Sequence, residues 1–248
     1  MTSPGTATAG NRLDFKRAGR ARPWIACYFP LGDDRFGDAI REAYHAGGAD
    51  ILELGIPARN PFMDGPDVAG TMARAFEAGV DVYRRLDEML DWLSADPRRP
   101  AGVAMGYAGG ELNGLFDRLR LSRLDGALLL GQLEADRPQA LAASGVHRCG
   151  FVSAAAAEAE LAAAREASGY VMLQAASGVT GPRQALDEEN GAKIRRLREA
   201  GVAAPILLGF GISEAGQAKQ AIDLGADGIV VGSMCVRQAL QGPAALQD

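Results

Sequence analysis

Eight short apolar runs, each followed by a longer segment of helical periodicity, set the narrowest limit on how this chain can fold. The runs cover residues 24–28, 51–54, 101–105, 126–130, 149–152, 170–173, 205–209 and 228–231. Between them, 34–46, 68–78 with 80–94, 114–121, 137–144, 157–167, 193–200 and 213–224 carry apolar residues at helical spacing and polar residues on the opposite face. Several of these segments stop at glycine, as in Ala46-Gly47-Gly48, Ala78-Gly79, Ala200-Gly201 and Leu224-Gly225, where a helix end calls for positive φ. "AGGAD", "EAGVAAP" and "LGADG" each lead into an apolar run and look like one turn device reused. Strand–helix alternation through a whole chain implies a parallel sheet with right-handed crossovers. Eight such units in about 225 residues point to an α/β fold of the (β/α)8 TIM-barrel type, a single domain, rather than an open doubly wound sheet. Residues 1–10 are small and polar and read as a disordered tail, leaving 11–248 for the barrel.

Composition narrows the function. Of 248 residues, 48% are hydrophobic, enough for a sizeable core, and the net charge of -5 argues against general binding to nucleic acid or to an anionic membrane. No run approaches the ~18 apolar residues of a membrane span, and the N-terminus lacks the apolar core of a secretory signal. The cluster of Lys16, Arg17, Arg20 and Arg22 reads as a solvated helix face. Cys27, Cys149 and Cys235 are odd in number and far apart, which suggests a reducing, cytoplasmic setting with neither disulfides nor a zinc site. They read as buried packing residues. With only His45 and His147, neither with an evident acidic companion, no metal site is expected.

Chemistry concentrates in "ILELGIPARNPFMDGP", residues 51–66. Strand alternation puts Leu52 and Leu54 on one face and Glu53 on the other, toward a barrel interior. A carboxyl among apolar walls has its charged form disfavoured, which suits a group that trades a proton near neutrality. Asp64, in the loop that follows, can fold back over the same mouth. The spacing leaves a second reading open, in which Glu53 pairs with a buried Arg and Asp64 only shapes a turn before Gly65-Pro66. Later in the chain, "SGVTG" (residues 177–181), "GFGIS" (209–213) and Gly232-Ser233 follow the last three apolar runs. Glycine-rich turns beside helix starts let backbone N–H groups approach an anion, and loops after strands seven and eight are the usual phosphate position in this architecture. The lysines, Lys16, Lys193 and Lys219, all lie away from strand ends, so no Schiff-base lysine and no cofactor is indicated.

With "PLGDD", "GADILELGIP", "DGP", "SGVTG", "GFGIS" and "VGS" in this order, the chain resembles the α subunit of tryptophan synthase and the stand-alone indole-3-glycerol-phosphate lyases, from about Arg12 to the last helix. The resemblance implies a (β/α)8 lyase that splits indole-3-glycerol phosphate into indole and glyceraldehyde 3-phosphate without a cofactor. Glu53 would be the acid–base group at indole carbon three, and Asp64 would take the ring N–H and steady the cation. Gly181, Gly211, Gly232 and Ser233 would hold the phosphate. Tyr28, Met105, Leu128, Leu130, Met172 and Phe210 would line the indole slot.

Departures from the family pattern bear on partner and substrate. Met172 stands where the family usually has a Tyr, Leu130 fills a commonly small position, and Pro30 replaces a frequent Thr. Asn60 stands for an Asp, Gly131 and Leu133 stand for the Asp and Pro of "ADVP", and Ala176 replaces an Arg. The loops that communicate with a β subunit in the synthase are thus altered, so that contact is expected to be weakened. Three readings follow: a lyase that works alone and releases indole for a specialised pathway, an α subunit that depends on a β partner, and a non-catalytic binder of a phosphorylated indole.

Overall fold

The computed structural model describes residues 11–19, 21–178 and 186–246. Nine parallel strand segments form its sheet: β1 (Trp24–Pro30), β2 (Ile51–Gly55), β3 (Ala101–Tyr107), β4 (Gly126–Leu130), β5 (His147–Arg148), β6 (Gly150–Val152), β7 (Val171–Gln174), β8 (Ile206–Gly209) and β9 (Gly228–Val231). Their order is β5-β4-β3-β2-β1-β9-β8-β7-β6. Only Cys149 separates β5 from β6, so the two edges of the sheet are two halves of one strand. Cys149 N–H donates to the Ala127 carbonyl at 2.9 Å on one side, and Gly150 N–H donates to the Tyr170 carbonyl at 2.8 Å on the other. Hydrogen bonding therefore closes the ring through this broken strand, and the eight apolar runs become a barrel.

Helices cover the outside: α1 (Arg12–Ala18), α2 (Asp38–Ala46), α3 (Pro66–Glu77), α4 (Val82–Ser94), α5 (Arg118–Leu121), α6 (Arg137–Ser144), α7 (Glu158–Ala164), α8 (Glu189–Glu199), α9 (Ala215–Asp223) and α10 (Ser233–Gln241). Leu52 and Leu54 are wholly buried beneath this layer. Each contributes roughly 1.5–3 kcal/mol of apolar burial. The reused turn has a single geometry. After α8 and after α9 a glycine in the left-handed region (Gly201, φ 89°; Gly225, φ 102°) lets the next residue reach back to the third-last helical carbonyl. Val202 thus donates to Leu197 and Ala226 to Ala221, both at 3.1 Å.

One expectation needs correction and one needs an addition. The segment 114–121 is not one helix but a 3-10 stretch, Gly110–Phe116, followed by the single turn of α5. A side chain at Gly114 would fall 2.5 Å from the Tyr83 ring, so the chain there is pressed against α4. Two of the basic N-terminal residues, Arg17 and Arg22, are exposed as a solvated face requires but also act as clamps, while Arg20 lies outside the described residues. Arg17 donates to the Ser168 and Gly169 carbonyls at 2.6 and 2.7 Å, and Arg22 grips both oxygens of Asp50 at 2.9 and 3.0 Å. Between them α1 stoppers the N-terminal opening of the barrel, with Leu13 fully buried. Asn11 caps that helix through the Leu13 N–H at 2.9 Å while donating to the Asp125 carbonyl at 2.8 Å.

Candidate active site

At the opposite, C-terminal end of the strands lies a narrow cleft. Its wall combines Tyr28 of β1, Glu53 of β2, Met105 of β3 and Met172 of β7 with Asp64 and Val68 after β2. Phe210, Gly211 and Ile212 after β8, Val230 of β9, and Gly232, Ser233 and Met234 at the start of α10 complete it. Most of the residues expected to form a site are thus brought together. Leu128 and Leu130 are not. Both are buried in β4, where Leu128 lies opposite Met105 and Leu130 opposite Tyr107, and no residue of β4 reaches the cleft wall. Gly181 lies outside the described residues.

Glu53 is 1% exposed and sits between Tyr28 and Val103 in the strand register. Burial is the main cause that pushes its pKa up to about 7. Nearby Asp64 adds to the rise, while the hydrogen bond from the Tyr170 hydroxyl opposes it. A carboxyl in this state is half protonated at neutral pH and can both give and take a proton. Asp64 is held by the fold of its own loop, its N–H donating to the Pro61 carbonyl at 3.0 Å, and by Tyr107, whose hydroxyl donates to Oδ2 at 2.6 Å. Tyr170 and Tyr107 were not among the residues singled out from sequence. Each lies two positions along its strand from a cleft residue, Met172 or Met105, and so shares its face.

The far rim is formed by the start of α10 and the loop after β8. Ser233 is the first residue of α10, and its hydroxyl oxygen is buried without a hydrogen-bond partner. A nine-residue helix presents its free N–H groups and positive end here. On the neighbouring loop Phe210 adopts φ 71°, a conformation that side chains rarely take, and Gly211 follows at φ 100°. The loop is pinned by Gln217, whose Oε1 accepts from the Ser213 and Glu214 N–H groups at 2.7 and 3.1 Å.

Other groups stand apart from this cleft. His147 does have an acidic companion, Asp14 of α1 at 3.0 Å, contrary to the sequence reading. Cys27, Cys149 and Cys235 are buried and free. Among the described residues no helix is long and apolar enough to cross a membrane, and no group of three or more metal-binding side chains is gathered.

A parallel barrel with a buried carboxyl of raised pKa in its wall and a helix N-terminus across the same mouth has the architecture of a (β/α)8-barrel enzyme. A family model described as tryptophan synthase alpha chain matches residues 22–245. The tryptophan synthase alpha chain of Erwinia tasmaniensis is 35% identical over 237 residues, covering 91% of this chain and 86% of that one. The alpha chain of Synechococcus elongatus is 33% identical over 215 residues, covering 80% and 78%. Among solved structures, tryptophan synthase from Mycobacterium tuberculosis superposes with a TM-score of 0.74 at 26% identity, over 96% of this chain and 93% of that one. The alpha chain from Legionella pneumophila subsp. pneumophila gives 0.75 at 22% identity over 96% and 95%, a likeness of fold. The chain belongs to the tryptophan synthase alpha chain family, carbon–carbon lyases that cleave indole-3-glycerol phosphate and whose members partner with a β subunit.

Proposed function

We propose that this chain cleaves indole-3-glycerol phosphate to indole and glyceraldehyde 3-phosphate and does so without a β subunit, releasing free indole. The observation that carries the reaction is Glu53, buried with a pKa of about 7 in the same cleft wall as Asp64 and Ser233. Protonated Glu53 gives its proton to the ring carbon that bears the glycerol chain, and the ring nitrogen becomes a cation. Asp64 accepts the ring N–H and stabilises that charge, which develops only as the bond prepares to break. The glycerol hydroxyl on the adjoining carbon then loses its proton to the glutamate. The carbon–carbon bond breaks, its electron pair returns to the ring, and the aldehyde forms. Glu53 ends protonated as it began. Gly211, Gly232 and Ser233 hold the phosphate on backbone N–H groups and the serine hydroxyl.

Independence from a partner rests on the loop after β4. Gly131 stands there at φ 93°, and a Cβ in its place would lie 3.2 Å from that of Ala108. An Asp at this position, as in the family pattern, would be strained, so the loop follows a course of its own. One observation favours the β-dependent reading: Phe62 is 56% exposed and stacks edge-on against Tyr107 at 4.9 Å, so a protein covering Phe62 would press on the tyrosine that holds Asp64. Purified chain with indole-3-glycerol phosphate and no added protein should release indole at a steady rate. Negligible release alone, rising about a hundredfold or more with a β subunit, would establish dependence instead.

A further inference from the structure

Tyr28 brings to the cleft a hydroxyl that the proposed reaction does not use. The residue is 2% exposed and its hydroxyl oxygen meets no hydrogen-bond partner. Its course is fixed at both ends. Near β1, its Cβ lies 4.0 Å from where a Cβ on Gly232 would be, beside the rim at the start of α10. At the other end the ring lies over β2, so that a Cβ on Gly55 would fall 2.2 Å from the hydroxyl oxygen. Gly55 is therefore the residue that admits this ring. The hydroxyl finishes at the acid end of the cleft, by Asp64 and Thr71. The Thr71 hydroxyl beside it spends its own proton on the Val68 carbonyl at 2.7 Å and so has only an acceptor to offer, and Tyr107 holds Oδ2 of Asp64. An apolar slot would be filled as well by Phe, which occupies the same volume and buries no polar atom. A buried hydroxyl without a partner is costly, and a ligand that supplies the partner recovers that cost.

We infer that Tyr28 is a specificity-determining residue whose hydroxyl bonds a hydroxyl or amino group on the benzo ring of the substrate, at indole carbon seven, the substitutable benzo carbon nearest the ring N–H. This rests on the lyase reading above. With the ring N–H on Asp64 and the reacting carbon at Glu53, that benzo carbon is the next position round the ring beyond Asp64, on the side where the Tyr28 hydroxyl ends. Room for the added atom comes from Met105, Met172 and Met234, three unbranched side chains in the cleft wall that readily change rotamer.

The reverse reaction tests it. Glyceraldehyde 3-phosphate is condensed with indole, with 7-hydroxyindole, and with an isomer oxygenated on the far side of the benzo ring, using native chain and Tyr28→Phe. The native chain should prefer the first hydroxyindole over indole in kcat/KM. Tyr28→Phe should lower that preference about tenfold, the effect of one hydrogen bond, and leave the ratio for the far isomer where it was. An unchanged ratio, an equal loss with all three acceptors, or native turnover of indole with rejection of the first hydroxyindole would each overturn the inference. If no acceptor condenses, the lyase reading fails. Calorimetric binding of the same three compounds to the two proteins then decides the Tyr28 contact by the same ratio.

Discussion

Two buried carboxylates, one at each end of the barrel, have opposite surroundings. Asp125, at the base, accepts from the Arg12 N–H at 2.8 Å, the Arg12 guanidinium at 3.1 Å and the Gly102 N–H at 2.8 Å. Glu53, near the mouth, has the neutral Tyr170 hydroxyl as its hydrogen-bond donor, and its nearest charge is another acid, Asp64. The same functional group is saturated in one place and left under strain in the other. Asp125 ties α1, β3 and β4 together and is fully occupied in doing so. Among the described residues no cation settles the charge of Glu53, so its proton stays available. The structural alternative weighed from sequence, a glutamate paired with a buried arginine, is realised by Asp125 and by Asp33, which holds Arg35 and Arg74, rather than by Glu53.

The sharpest way to break this contrast is Glu53→Gln. Turnover should fall about a thousandfold or more, as expected for loss of a general acid. Stability should move the other way. The folded pKa of about 7 lies above the unfolded value of 4.5, so the carboxyl's favourable contribution is complete below pH 4.5 and is lost as pH rises through 7. Ionised Glu53 therefore costs the native state about 3 kcal/mol at pH 8, and the neutral amide should recover much of it. Urea unfolding of both proteins at pH 8 reads this directly, and a less stable variant would refute the description of Glu53 as strained.

Asp125→Ala should do the reverse. Leaving Arg12 and the Gly102 N–H without their partner should cost about 3 kcal/mol in unfolding free energy while the rate per folded molecule holds. A collapse of the rate at full stability would mean that the two acids are not separate in role. The smallest effect expected is that of Tyr170→Phe. It removes one hydrogen bond, about 1 kcal/mol of stability, and the one interaction that favours ionised Glu53. The limb of the pH–rate profile near 7 should move to higher pH. A shift to lower pH would show that Tyr170 does not support the carboxylate.

Legibility from sequence follows the same division. Apolar runs, helix periods and glycine stops are local signals, and they located eight strands and the reused turn. Glu53 was legible because a carboxylate inside an apolar run breaks a local pattern, and Asp64 because a second acid follows it in the adjoining loop. Tyr107 and Tyr170 break none, since a tyrosine is at home in a buried strand and only the partner across the barrel gives its hydroxyl a role. Leu128 and Leu130 lie outside the cleft wall because a position on a strand does not reveal how far a cleft extends, and the wall takes in β3 but no residue of β4. The fifth strand was read from residue 149 because its first half, His147 and Arg148, is polar and only half-shielded at the base. Clamps such as Arg17 on Ser168 join residues 151 apart, a distance at which no periodicity speaks.

That stopper helix imposes an order of events on the ribosome. α1 is made well before the groups that anchor it: Leu93, Asp125, Ser168 and Gly169 lie from 81 to 152 residues further along the chain than the arginines that grip them. This segment must therefore wait for the later ones, and its docking seals a barrel assembled without it.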